Sequence, residues 1–223
     1  MKFEMHTHTM ENDPCSDVPA DEMVKAYHKA GYEGLIVTNH YFCWMFEWFK
    51  KDLEGADHKG LIDRYLRGYR KAKAAGEELG MTVLLGIELR FDGTINDYLV
   101  YGLEESFLYE SPVLNHMTLT SFLDIMPEDA LLYQAHPFRD SMEIAPPWQL
   151  FGMETYNGAT DPVRNNFAKM WAEDYFLKEI SGSDFHRMEH LARGGLIFEN
   201  EVKTNQDLIS QLKAEQYSLI RTE

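Results

Sequence analysis

Leu84-Leu85-Gly86-Ile87-Glu88 is the stretch whose reading decides the fold: a short apolar run, opened after the turn signal Gly80 and closed by a carboxylate. Such a run is too short for a buried helix and reads as a buried strand. Ile36-Val37-Thr38-Asn39-His40 repeats the form, ending in an imidazole, and Leu132-Tyr133-Gln134-Ala135-His136 repeats it again. Working outward, strands are expected over residues 3–6, 35–38, 82–87, 98–101, 131–134, 153–156, 179–181, 196–198 and 218–220. Helices are expected over 19–30, 61–79, 161–178 and 204–213, with Pro19 and Pro162 in first turns and Gly31 and Gly80 as stops. Strands alternating with helices imply an α/β fold on a mostly parallel sheet, closed into a barrel or left open. No repeat or low-complexity linker divides the chain, so residues 1–223 are read as one domain.

The side chains at the strand ends carry the chemistry. His6 and His8 follow the first strand; His40, Glu88 and His136 end later ones; Asp184 and His186 follow the strand before Gly182-Ser183. In parallel α/β folds the C-terminal strand ends share one rim, so residues distant in sequence converge there. His6 and His8, and likewise Asp184 and His186, stand two apart on extended chain and point the same way. Any one of them alone reads as a cap or a satisfied polar contact; the set reads as metal ligands. Mixed imidazole and carboxylate donors suit zinc, iron or manganese alike. Two such ions can turn a bridging water into hydroxide and stabilise the alkoxide leaving a phosphate ester. His28, His58 and His190 are excluded from the ligand set. The aromatic cluster Tyr41 to Phe49 is read first as core under a long loop and second as a substrate wall.

Composition narrows the function further. With 21 Lys plus Arg against 37 Asp plus Glu, the formal charge is -16, which disfavours a nucleic-acid surface other than one for short oligonucleotides. Two cysteines, Cys15 and Cys43, without zinc-knuckle or disulfide spacing imply a reducing compartment, hence the cytoplasm. The opening residues lack the apolar core of a signal peptide, no stretch is apolar enough to span a membrane, and neither a P-loop nor a Gly-x-Ser-x-Gly elbow occurs.

His6-Thr7-His8-Thr9, Thr38-Asn39-His40, Gly86-Ile87-Glu88, Ala135-His136-Pro137 and Gly182-Ser183-Asp184-Phe185-His186 together resemble, in order, the motifs of the polymerase and histidinol phosphatase (PHP) family. Asn39 stands where the commoner residue is Asp. The resemblance spans nearly the whole chain and implies a distorted, TIM-like (β/α)7 barrel with two or three divalent ions at its C-terminal rim. It implies that His6, His8, Glu88 and Asp184 hold one ion and that Glu88 bridges to a second shared with His136. A third falls to His40, His186 and an acid from the loop after the first motif. Cys15-Ser16-Asp17 fits that loop, so Asp17 is taken as the acid and Asp13 as its substitute. The second ion commonly takes another histidine from the strand after the bridging Glu. Residues 96–102 contain none, and His116 is the nearest. Arg139, Arg187 and Arg193 are the candidates for binding phosphate. The activity implied is metal-dependent hydrolysis of a phosphomonoester or small phosphodiester. The alternatives are histidinol-phosphate phosphatase specifically, or a metal-binding regulatory domain without turnover. Substrate, metal identity and oligomeric state stay open.

Overall fold

The structure, a computed structural model, describes residues 1–222. It begins with β1 (Lys2–Thr7), α1 (Ala20–Lys29), β2 (Gly34–Val37), the two-residue β3 (His40–Tyr41) and α2 (Trp44–Trp48). Next come α3 (His58–Tyr65), α4 (Arg67–Leu79), β4 (Thr82–Leu89), β5 (Tyr98–Tyr101), α5 (Glu105–Glu110) and α6 (Leu119–Ile125). The chain ends with β6 (Leu131–Gln134), β7 (Gly152–Asn157), α7 (Pro162–Asp174), β8 (Lys178–Gly182), β9 (Gly194–Phe198), α8 (Asn205–Ala214) and β10 (Tyr217–Arg221).

The strand order is β10-β9-β1-β2-β4-β5-β6-β7-β8, with β3 beside β4. Beyond β8, Thr7 and Phe185 form a parallel bridge that brings the two sides of the sheet together into a nearly closed barrel. β1, β2, β4, β6, β7 and β8 run one way, while β5 is antiparallel to both neighbours and β9 is antiparallel to β1. The expected distorted α/β barrel is therefore present, distorted by these reversals. Residues 90–97 between β4 and β5 are too few for a parallel crossover, which needs about a dozen, so β5 turns back.

Two apolar layers support the sheet. The outer one packs Leu35, Val37, Val83, Leu85 and Val100 against Met23, Val24, Tyr27, Leu61 and Ala72 of the helices. The inner one fills the barrel with Phe3, Met5, Ile36, Leu84, Leu99, Tyr101 and Tyr133. Expected strands and helices match these elements to within two residues at each end, apart from two helices: that over 161–178 stops at Asp174, because Phe176 (φ 56°) turns the chain and Lys178 already opens β8, and that over 61–79 is broken. It is two helices meeting at Leu66, because Asn12 inserts between them: its Nδ2 donates to the Tyr65 carbonyl and its Oδ1 accepts from the Gly68 N–H at 3.1 Å. A side chain entering the helix ladder in this way kinks it. Of the aromatic cluster, Tyr41, Phe42 and Phe49 are buried as core, whereas Trp44 is 58% exposed.

Candidate metal centre

β1 positions the first histidines through a bulge. Glu4 pairs with Leu35 and Thr7 with Val37, so three steps along β1 oppose two along β2. An extra residue reverses the strand's alternation. Phe3 and Met5 thus fill the barrel below the bulge, and His6 and His8 line its mouth above. The Met5 and His6 N–H groups both donate to Glu4 Oε1, at 2.9 and 3.0 Å. Ser183 and Tyr27 donate to the same carboxylate, tying β1 to β8 and α1. Burial pushes the Glu4 carboxyl up to about 7 despite these donors.

Glu88, at the end of β4, is the hub. Its Oε2 lies 3.3 Å from His6 Nε2, 3.2 Å from His8 Nε2 and 3.1 Å from His40 Nε2, and its Oε1 lies 2.9 Å from His136 Nε2. Asp184 Oδ1 is 3.5 Å from His6 Nε2, 3.4 Å from His8 Nε2 and 3.2 Å from His186 Nδ1. Among the described residues three groups have the spacing to hold an ion: His6, Glu88 and His136; His6, His8 and Asp184; and His8, His40 and His186. Donor atoms each about 2.1 Å from one cation lie about 3 to 3.5 Å apart, which is the spacing seen. His136 (φ 27°) and Asp184 (φ 51°) sit in the left-handed region, where a non-glycine residue costs about 1–3 kcal/mol and must be held by its surroundings.

Hydrogen bonding supplies the fit test. Among the described residues His6 Nε2, His8 Nε2 and Glu88 Oε2 are buried without a hydrogen-bond partner. Each such atom costs about 1–3 kcal/mol if left unsatisfied, and here they face one another. Cations among them would satisfy all three. The electrostatics agree. Burial alone would raise Glu88, but the His6 and His40 imidazoles hold it well below the usual carboxylate range. Burial likewise opposes ionisation of Asp184, yet His6 and Arg139 hold it low. Burial would lower His6, but Glu154, Asp184 and Glu88 hold it well above its ordinary value. His186 is carried up to about 10 by Asp184 and Cys15, against burial. The Cys15 thiol is brought down to about 6 by His186 and His40, again against burial.

His6, His8, His40, Glu88, His136, Asp184 and His186 are thus brought together. Four expected residues are not. Asp17 points outward, its side chain 68% exposed and 3.9 Å from Arg187, while buried Asp13 takes the inward position. Asp13 Oδ2 is 2.8 Å from His8 Nδ1 and accepts the His40 N–H, because a turn of residues 12 and 13 onto the Thr9 carbonyl aims the side chain inward. His116 is 60% exposed, 3.7 Å from Asp92 and stacked on Phe46, on a 3-10 turn directed away from the cluster. Arg187 is exposed beside Asp17 and Glu189, and Arg193 is exposed over the Gly158 carbonyl. Arg139 does reach the cluster: Nη2 donates to Asp184 Oδ2 and to Asn157 Oδ1, and Nε to Thr160.

The expected set of site residues left out Glu4, Asp97, Glu154 and Asn157. Asp97 lies 3.9 Å from His136 Nε2 on the segment where another histidine was sought, and Arg90 grips it with two hydrogen bonds. Glu154 is wholly buried, with Oε1 2.9 Å from His6 Nδ1. The available signal for Glu154 was an acid inside the expected strand Met153-Glu154-Thr155-Tyr156, since an unpaired carboxylate is rarely buried.

Residues 162–217 match the family model described as PHP-associated, about a quarter of the chain. A two-domain protein from Bacteroides vulgatus, containing a predicted PHP-like metal-dependent phosphoesterase, superposes with TM-score 0.71 at 16% identity, over 99% of this chain and 64% of that one. The fold is PHP-like. A candidate metal-dependent phosphoesterase from Bifidobacterium adolescentis shares this PHP-like fold at TM-score 0.58 and 14% identity, covering 95% of each chain. So does an amidohydrolase from Chromobacterium violaceum solved with sulfate and no metal, at TM-score 0.58 and 12% identity, over 99% of this chain and 98% of that one. No curated protein matches in sequence. The chain spans less than two thirds of the Bacteroides protein. No helix among the described residues is long and apolar enough to cross a membrane.

Proposed function

We propose that this PHP-like chain is a metal-dependent phosphoesterase acting on a small phosphomonoester or phosphodiester. The observation that carries the reading is the convergence of unpartnered His6 Nε2, His8 Nε2 and Glu88 Oε2, fully buried, at the barrel mouth. His6, His8, Glu88 and Asp184 would hold the central ion, Glu88 and His136 an inner one, and His40 and His186, with Asp13 behind them, an outer one. Zinc, iron and manganese all accept this donor set. When bound, such ions supply Lewis acidity to phosphoryl oxygens and make water a nucleophile at neutral pH.

The chain's own groups do the rest. Glu88 is placed to serve two neighbouring positions because its two oxygens face different histidines. Arg139 offsets the charge of Asp184 and brings a guanidinium to the same edge, where it adds positive charge for a phosphate. Burial of the hub keeps bulk water from screening these interactions. His40 and His186, the partly exposed members, mark the side from which substrate enters.

The test is hydrolysis of an aryl phosphate and a panel of phosphorylated metabolites by protein loaded in turn with zinc, iron and manganese. An aryl amide is included because a protein of the same fold bears the amidohydrolase name. Phosphate release that a chelator abolishes, and that Glu88→Gln lowers by more than about a hundredfold, is expected, since several kcal/mol of charge stabilisation depend on the ions. Turnover of the amide alone, or full activity in Glu88→Gln, would refute the reading.

A further inference from the structure

We infer that Glu154 is the positioning residue of the centre: it fixes which nitrogen of His6 faces the cations and pins His136 beside it. The inference rests on the cation-binding reading above and deepens it. β7 carries a bulge of its own, Glu154 pairing with Ile180 and Tyr156 with Ser181, so that Glu154 and Asn157 both turn into the barrel. A carboxylate only accepts hydrogen bonds. At 2.9 Å from Glu154 Oε1, His6 Nδ1 therefore keeps its proton, so the nitrogen that would give up its own proton in binding a cation is Nε2, on the side of Glu88 and Asp184.

The second oxygen, Glu154 Oε2, accepts the backbone N–H of His136 and the Nδ2–H of Asn157, each at 2.9 Å. The first of these bonds anchors His136 in its left-handed conformation. Asn157 extends the reach, since its Nδ2 is 3.3 Å from Asp184 Oδ2 and its Oδ1 accepts from Arg139 at 3.0 Å. One buried acid thus touches His6 and His136 directly and Asp184 through a single amide. The packing leaves room for this contact: a Cβ on Gly182 would lie 2.5 Å from His6 Cβ and 2.8 Å from Glu154 Oε1.

Two readouts test it without relying on turnover. Zinc titration by calorimetry of the full chain should show Glu154→Gln binding about 10–100-fold more weakly than wild type, the usual cost of losing a ligand's hydrogen-bonded carboxylate. Nitrogen-resolved NMR of the zinc-loaded wild type needs no variant. It should show His6 bound through Nε2, with an Nδ1–H that exchanges slowly with water. Binding of His6 through Nδ1, or a folded Glu154→Gln with unchanged zinc affinity, overturns the assignment of Glu154 while leaving the metal centre standing. Failure of the wild type to take up zinc would instead strike the proposed function, and this inference with it.

Discussion

The two flanks of Glu88 are built differently. On the inner flank His6 and His136 are buried and fastened to Glu154, an acid within a strand. On the outer flank the His40 and His186 side chains keep 16% and 17% of their surface exposed, and the acid behind them, Asp13, sits in a loop beside the Cys15 thiol. A ligand fastened to a strand is held by the whole sheet, whereas one fastened to a loop moves with the loop. The difference teaches how, on the proposed reading, one centre would combine a firmly held half that keeps its cation with a more open half that exchanges cation and substrate.

The sharpest way to break this contrast is to remove the outer acid. Asp13→Asn leaves His8 and His40 without their charged partner and should weaken the outermost ion about 10–100-fold, while the most tightly bound ion stays. Metal stoichiometry by mass spectrometry after graded chelation reads this directly; simultaneous loss of all ions would erase the distinction. Asp17→Asn, by contrast, removes an exposed carboxylate paired only at the surface and should leave the metal stoichiometry as it is while changing stability by less than about 0.5 kcal/mol. The smallest effect belongs to His116→Ala, expected to leave metal content unchanged in the same measurement. A lost ion there would show that the 3-10 turn folds inward on loading.

Which parts of this were legible in the sequence follows from strand geometry. β4 is regular, so Glu88 could be placed by counting from its apolar run, and β2 places His40 in the same way. His6-x-His8 and Asp184-x-His186 were legible because the spacing of two survives wherever the chain is extended. Glu154 stood out only as an acid within a strand; that it shares a face with Asn157, three positions on, was not legible, because only the bulge in β7 turns both to the same side. Asp13 and Asp17 differ by one turn of a loop whose course is set by the bonds of residues 12 and 13 to the Thr9 carbonyl, a contact no periodicity announces. The break at Leu66 was hidden for a similar reason, as its cause, Asn12, is far away in sequence. Arg139 was named beside Arg187 and Arg193 on equal terms. Only folding sets it against Asp184 and leaves the others at the surface.

The most direct test of the central claim is anomalous scattering, recorded at the absorption edges of zinc, iron and manganese, from crystals grown after loading with each metal. The account predicts a peak enclosed by His6, His8, Glu88 and Asp184, with any neighbouring peak lying toward His136 or toward His40 and His186. Loaded crystals with no peak among these residues, or with ions only at surface acids, would contradict it.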